Sequence, residues 1–137
     1  MLLLDKVAEM IKDGEPIKLM IIDSLTAHFR AEYAGRGMLA DRQQRLNRYL
    51  HNLMRIAETN NLAVYVTNQV MSDPAQLFGD PTKAIGGNIV GHACTYRMYL
   101  RRGKKDSRVC KLIDSPDLPD NETVFMIETS GLRDIDI

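Results

Sequence analysis

Three features of the chain predict an α/β fold in which a mostly parallel central sheet is flanked by helices and followed by an antiparallel hairpin. Lys18–Ser24, K-L-M-I-I-D-S, is a run of four large apolar residues ending in an acid and a hydroxyl. Leu62–Thr67, L-A-V-Y-V-T, is a second short apolar run, and it too ends in polar residues, Thr67, Asn68 and Gln69. Between them lies a segment of helical periodicity. Short apolar runs of this kind fit strands buried on both faces of a covered parallel sheet. Strand, helix, strand in this order calls for a parallel crossover, so the tips of the two strands share one edge of the sheet.

Bulk properties set the frame. The 137 residues suit one domain spanning 1–137 with a single core. Eighteen basic residues balance eighteen acidic ones, so only the distribution of charge bears on a nucleic-acid partner. Cys94 and Cys110 sit in apolar alternating segments and read as buried free thiols of an intracellular protein. No apolar stretch is long enough to cross a bilayer, and M-L-L-L-D-K lacks the basic start and cleavage site of a secretory signal. The expected location is the cytoplasm or nucleoid, or a nucleus; membrane and secretion are not expected.

Taken in order, Leu2–Lys12 carries Leu3, Leu4, Val7, Ala8 and Ile11 at helical spacing. Asp13-Gly14-Glu15-Pro16 ends that helix and turns the chain into the Lys18–Ile22 strand. His28–Gly37 is irregular and polar. A long helix follows from about Leu39 to Glu58, with Leu39, Leu46, Leu50, Leu53 and Ala57 inward and Arg42, Arg45, Arg48 and Arg55 on a solvated face. Asn60-Asn61 supplies a left-handed stop.

After the second strand, Val70–Ile85 reads as a long loop rich in Pro, Asp and Gly, with exposed Met71, Leu77 and Phe78. Loops of this length are functional or disordered rather than mere connections. Gly86-Gly87-Asn88 closes it, and Ile89–His92 makes a short helical turn. Ala93–Leu100 and Arg108–Asp114 alternate as a hairpin whose basic turn, Arg101–Ser107, carries Arg101, Arg102, Lys104 and Lys105. Asp114-Ser115-Pro116-Asp117-Leu118-Pro119 is a rigid loop, Thr123–Glu128 a last strand, and Gly131 turns the tail.

In open α/β sheets ligands bind outside the carboxyl ends of the strands. Asp23 and Ser24 stand there, and an acid at such a tip suits Mg²⁺ beside phosphate oxygens, the form of a Walker B strand. The same pattern also marks any buried strand meeting an ordinary turn. Taken singly, Gln69 reads equally as the satisfied polar end of a strand, His92 as a helix-turn histidine, and the basic turn as a solvated hairpin tip.

The segments L-M-I-I-D-S-L-T, Y-A-G-R-G, L-A-D-R-Q-Q-R-L, V-T-N-Q-V, I-G-G-N-I-V-G-H and L-I-D-S-P-D-L-P occur in one order with natural spacing. Together they resemble the carboxyl-terminal half of the ATPase core of the RadA recombinases, the archaeal and eukaryotic branch of the RecA superfamily. The resemblance runs from about Leu2 to Ile135. It implies a partial RecA-like P-loop NTPase core whose intact form binds ATP and Mg²⁺, self-associates into filaments or rings and pairs single- with double-stranded DNA.

Residue roles follow from the resemblance position by position. Asp23 matches the Walker B acid that orients Mg²⁺ and water, with Ser24 beside it. Gln69 matches a γ-phosphate sensor, with Asn68 between nucleotide and DNA loop. His92 matches a contact to the γ-phosphate of a nucleotide held mainly by a neighbouring subunit, and Asp114, Ser115, Pro116 and Pro119 match the cap over that neighbour's adenine. Arg30, Tyr33 and Arg36 match the first DNA-binding loop. Met71, Leu77, Phe78, Gly86, Gly87 and Asn88 match the second, and Arg101, Arg102 and Lys104 a patch attracting duplex.

The sequence departs from the family pattern in one respect that bears on chemistry. G-x-x-x-x-G-K-[ST] does not occur in it, and the family's pattern places that motif and the catalytic glutamate before residue 1. The resemblance therefore implies a fragment, one piece of a divided gene product, or a P-loop-less paralogue that docks on a recombinase filament without chemistry. Without the phosphate-cradling loop and its lysine, weak nucleotide binding and negligible ATP turnover are expected of the 137 residues alone. An unrelated Mg²⁺ hydrolase would need a second acid cluster at the strand tips, which Thr67-Asn68-Gln69 does not provide.

Overall fold

The computed structural model describes residues 2–25, 39–72, 82–84 and 87–135. Its elements in chain order are α1 (Leu2–Lys12), β1 (Leu19–Ile22), α2 (Leu39–Asn60), β2 (Ala63–Val66), β3 (Val70–Ser72), β4 (Thr82–Ala84), α3 (Gly87–Ala93), β5 (Arg97–Arg102), β6 (Arg108–Asp114), β7 (Asn121–Glu128) and β8 (Gly131–Asp134). The chain divides into two compact units, Met1–Ala93 and Cys94–Ile137.

In the first unit, β1 and β2 pair in parallel, Leu19 opposite Ala63 through Ile22 opposite Val66. The expected crossover through α2 is present, and both strands point their carboxyl ends the same way. Among the described residues a hydrophobic cluster joins α1, β1 and α2. Leu4 of α1, Met20 of β1, Leu53 of α2 and Leu62 form its buried centre, and Val7, Ile11, Tyr49, Ile56, Val64 and Val66 pack around them. Of the predicted α2 stripe, Leu46, Leu50 and Leu53 are each only 3% exposed and Ala57 is half-buried, while the Leu39 side chain lies outside the described residues.

Both long helices stop by the same local chemistry. The Leu62 N–H reaches back to the Ala57 carbonyl (3.1 Å) with Asn61 at φ +48°, and the Glu15 N–H reaches the Met10 carbonyl (3.0 Å) with Gly14 at φ +94°. These six-to-one bonds around a left-handed residue satisfy carbonyls that the last helical turn leaves open. Gly14 and Asn61 are the two residue types that take that conformation at least cost.

The sheet differs from expectation in its burial. Met20 points into the core, whereas Leu19 and Ile21 are 54% and 63% exposed, and Tyr65 on the neighbouring strand is exposed too. Among the described residues the helices cover only one face. The apolar run in the sequence reports that both faces are suited to burial, and side chains in a strand alternate between faces; covering each requires a separate partner.

Two further differences concern where elements begin and end. The ends of the Val70–Ile85 segment are not loop: β3 and β4 pair antiparallel, Val70 opposite Ala84 and Ser72 opposite Thr82. The α3 helix starts at Gly87, so Gly87 and Asn88 lie in its first turn rather than in a connecting loop.

In the second unit the predicted hairpin is half of a four-stranded antiparallel sheet in the order β5-β6-β7-β8. Glycine at position 131, at φ +114°, turns β7 directly into β8, with Glu128 opposite Gly131 and Ile127 opposite Leu132. The β5–β6 turn is tight: Gly103 N–H donates to the Ser107 carbonyl (2.9 Å) and Ser107 N–H to the Lys104 carbonyl (3.1 Å). Lys105 and Asp106 occupy its two central positions at φ +52° and +61°, the mirror-image geometry that matches strand twist.

Candidate functional site at the shared strand rim

The parallel register carries Asp23 and Thr67, the residues that follow β1 and β2, to one rim. Thr67 N–H donates to the Ile22 carbonyl (3.0 Å), and Leu25 N–H donates to the Thr67 carbonyl (2.8 Å), so the ladder continues past the strands. The Thr67 hydroxyl then donates to Asp23 Oδ1 at 2.6 Å. Leu25, 2% exposed, anchors the chain just beyond the acid. The Asp23–Ser24 peptide bond is cis. Asn68 and Gln69 follow Thr67 directly and lead into β3, so Gln69 belongs to the β2 end of this rim.

The chemistry of the rim follows from its atoms. Asp23 is exposed, and Thr67 fixes one of its oxygens while leaving further acceptor capacity on the carboxylate. Ser24 Oγ is buried with no partner among the described residues. A carboxylate and hydroxyls are hard oxygen donors, the kind that Mg²⁺ takes through one or two carboxylates together with water and phosphate oxygens. Among the described residues no three His, Cys, Asp or Glu side chains gather as a metal cage. The rim oxygens are thus of the kind that coordinates Mg²⁺ together with phosphate oxygens.

Elsewhere in the first unit, α2 and α3 enclose an open cavity of about 340 Å³. Asn47, His51 and Met54 line it from α2, and Ile89 and His92 from α3. Both imidazoles are exposed to solvent.

In the second unit, the Asp114–Pro119 loop is held by its own side chains. Ser115 Oγ accepts the N–H groups of Asp117 (3.3 Å) and Leu118 (2.9 Å), and donates to Asp117 Oδ1 (3.1 Å). The Tyr96 hydroxyl donates to the same Asp117 oxygen at 3.0 Å. That bond and the carboxylate's charge hold the Tyr96 phenol above its ordinary range. Arg97 Nε lies 3.3 Å from Asp114 Oδ2, an ion pair without hydrogen-bond geometry. Burial pushes the Cys94 thiol up, Arg97 opposing and Asp114 adding to the shift.

The basic residues of the hairpin are distributed differently from expectation. Arg101 and Arg102 stand on β5, not in the turn, and Arg101 is ion-paired to Glu122 at 3.0 Å. Arg102, Lys104 and Lys105 are exposed at the tip. Arg30, Tyr33, Arg36, Leu77, Phe78 and Gly86 lie outside the described residues, as does the side chain of Met71. Thr67 and Tyr96 are residues that sequence reasoning missed. A hydroxyl ending the second apolar run was the available signal for Thr67; nothing local marks Tyr96 as a partner of Asp117.

The Rad51 family model matches residues 1–135. The proteins named DNA repair and recombination protein RadA from Methanocorpusculum labreanum and Haloquadratum walsbyi are 56% and 55% identical over 97% and 96% of the chain. A third, from Methanoculleus marisnigri, is 55% identical over 97% of it. The chain spans only 42%, 40% and 42% of the length of these three curated relatives. With a family match over almost every residue, the chain belongs to the Rad51 family.

Proposed function

We propose that the chain forms the carboxyl-terminal part of a recombinase core that holds single-stranded DNA and, in an ATP-dependent filament, carries out homologous pairing and strand exchange. The observation that carries this reading is the shared rim, where Asp23 and the Thr67–Gln69 segment meet at the carboxyl ends of two parallel strands. Such a rim is where α/β sheets take phosphate ligands.

In this reading Asp23 holds the water and Mg²⁺ of a triphosphate, and Thr67 fixes the carboxylate's direction. Mg²⁺ supplies charge neutralisation on the phosphate oxygens when it is bound. Gln69 senses the γ-phosphate, and Asn68 links it to β3 and the DNA loop beyond. Asp114, Ser115, Pro116 and Pro119 cap the adenine of a nucleotide held by an adjacent subunit, and His92 meets its γ-phosphate. A nucleotide that touches two subunits couples its own state to their geometry.

DNA is held by its backbone so that the bases stay free to test pairing, which phosphate contacts allow because they carry no sequence information. Arg30, Tyr33 and Arg36 grip phosphates and stack, and Met71, Leu77 or Phe78 wedges between base groups. Arg102 and Lys104 draw in duplex. The test is the affinity for a labelled dT oligonucleotide of the parent and of a variant deleted within residues 73–81. The deletion weakens binding on this reading; equal affinity would remove the second loop from the account.

A further inference from the structure

We propose that His51 is a second phosphate-binding residue: with His92 it faces the cavity between α2 and α3 and takes the terminal phosphate of a nucleoside triphosphate. The inference rests on the reading of His92 given above and extends it to a residue of the other helix.

Geometry supplies the first argument. Asn47 and His51 are four residues apart on α2 and Met54 three further on, so they share one face of the helix. That face and α3 line the same cavity of about 340 Å³, at the small end of ligand pockets of roughly 300–1,000 Å³. Both imidazoles are exposed, so neither is a packed core histidine. Each presents at least one N–H donor, and the Asn47 amide offers two more.

Charge supplies the second. Among the described residues no carboxylate lines the cavity. Along α2 no acid occurs between Asp41 and Glu58, while Arg48 and Arg55, both exposed, stand three before and four after His51 on the same side of the helix. The surroundings thus favour an anion. They do not favour a metal ion, because two imidazoles with a thioether and an amide lack an anionic ligand. Among the described residues no group of three His, Cys, Asp or Glu forms.

The test follows the imidazole resonances of the full chain, whose three histidines are His28, His51 and His92, during addition of tripolyphosphate. The expected result is that His51 and His92 shift together with one dissociation constant, distinct from any response of His28. His51→Gln then weakens the affinity reported by His92 about tenfold, the loss of one hydrogen bond to a charged group. If His92 responds while His51 stays still, the role of His51 is overturned and that of His92 survives. If neither responds, both fall. A shared response to a dT oligonucleotide but not to tripolyphosphate, or to zinc alone, overturns the nucleotide assignment.

Discussion

The Thr67 hydroxyl donates a 2.6 Å hydrogen bond to Asp23 Oδ1 across 44 residues of sequence, tying the ends of β1 and β2 into one rim. The bond exists because the strands are parallel and in register, Ile22 beside Val66; each tip residue then falls beside its counterpart. Replacing Thr67 by Val keeps the shape and deletes the donor. Because Asp23 is exposed and water can replace the hydroxyl, the expected loss is about 0.5–1.5 kcal/mol. Thr67→Ser retains the bond and loses less. Urea unfolding of the two variants makes the comparison.

The helix-covered and the open side of the parallel sheet should respond unequally to truncation. Leu53 is 3% exposed within the Leu4–Met20–Leu62 cluster, so Leu53→Ala removes buried methyl groups and leaves a cavity, at a cost of about 2–5 kcal/mol. Ile21, on the other face, is 63% exposed, and Ile21→Ala changes stability by no more than about 0.5 kcal/mol. Denaturation midpoints report both. A large effect at Ile21 would mean that its face is covered in solution.

Gly103 and Ser107 should be energetically coupled. A Cβ at position 103 would lie 2.2 Å from Ser107 Oγ but 3.4 Å from Ser107 Cβ. The hydroxyl is pinned, since Ser107 is buried and donates to the Lys104 carbonyl at 2.7 Å. Gly103→Ala therefore destabilises the parent chain, and the penalty shrinks when Ser107→Ala has removed the oxygen. A double-mutant cycle measures the difference, expected at about 0.5–3 kcal/mol; additive effects would contradict the geometry.

The Asp114–Pro119 loop should loosen at high pH. Tyr96 donates to Asp117, and its phenol titrates above the ordinary value of about 10. A group whose folded pKa is raised stabilises fully below its unfolded pKa, and that contribution is lost as pH rises through the folded value. Stability should fall as pH rises above about 10. Tyr96→Phe should abolish that component of the fall, as should Asp117→Asn in large part. Denaturation midpoints followed against pH in the three proteins check it.

Much of this architecture is legible in the residues. Gly14 and Asn61 announce the helix stops, the leucine spacing of α2 announces its buried face, and two apolar runs around one helix announce parallel pairing. What escaped has physical causes. An apolar strand declares that it can be buried, not what covers it, so Leu19 and Ile21 were expected inside. The strand β8 is only four residues long, Gly131–Asp134, all exposed, and its register comes from β7 rather than from its own pattern. Thr67 escaped because a threonine at a strand end is ordinary until the partner strand is placed beside it. Tyr96 escaped because its bond to Asp117 spans 21 residues and needs the β5–β6 pairing to form.

The proposal that the chain grips single-stranded DNA by its phosphates is tested most directly by the salt dependence of dT oligonucleotide binding, measured for the parent and for Arg36→Ala. Loss of one phosphate contact predicts weaker binding and a log–log slope shallower by about 0.7. Identical affinity and identical slope in the two proteins would contradict it.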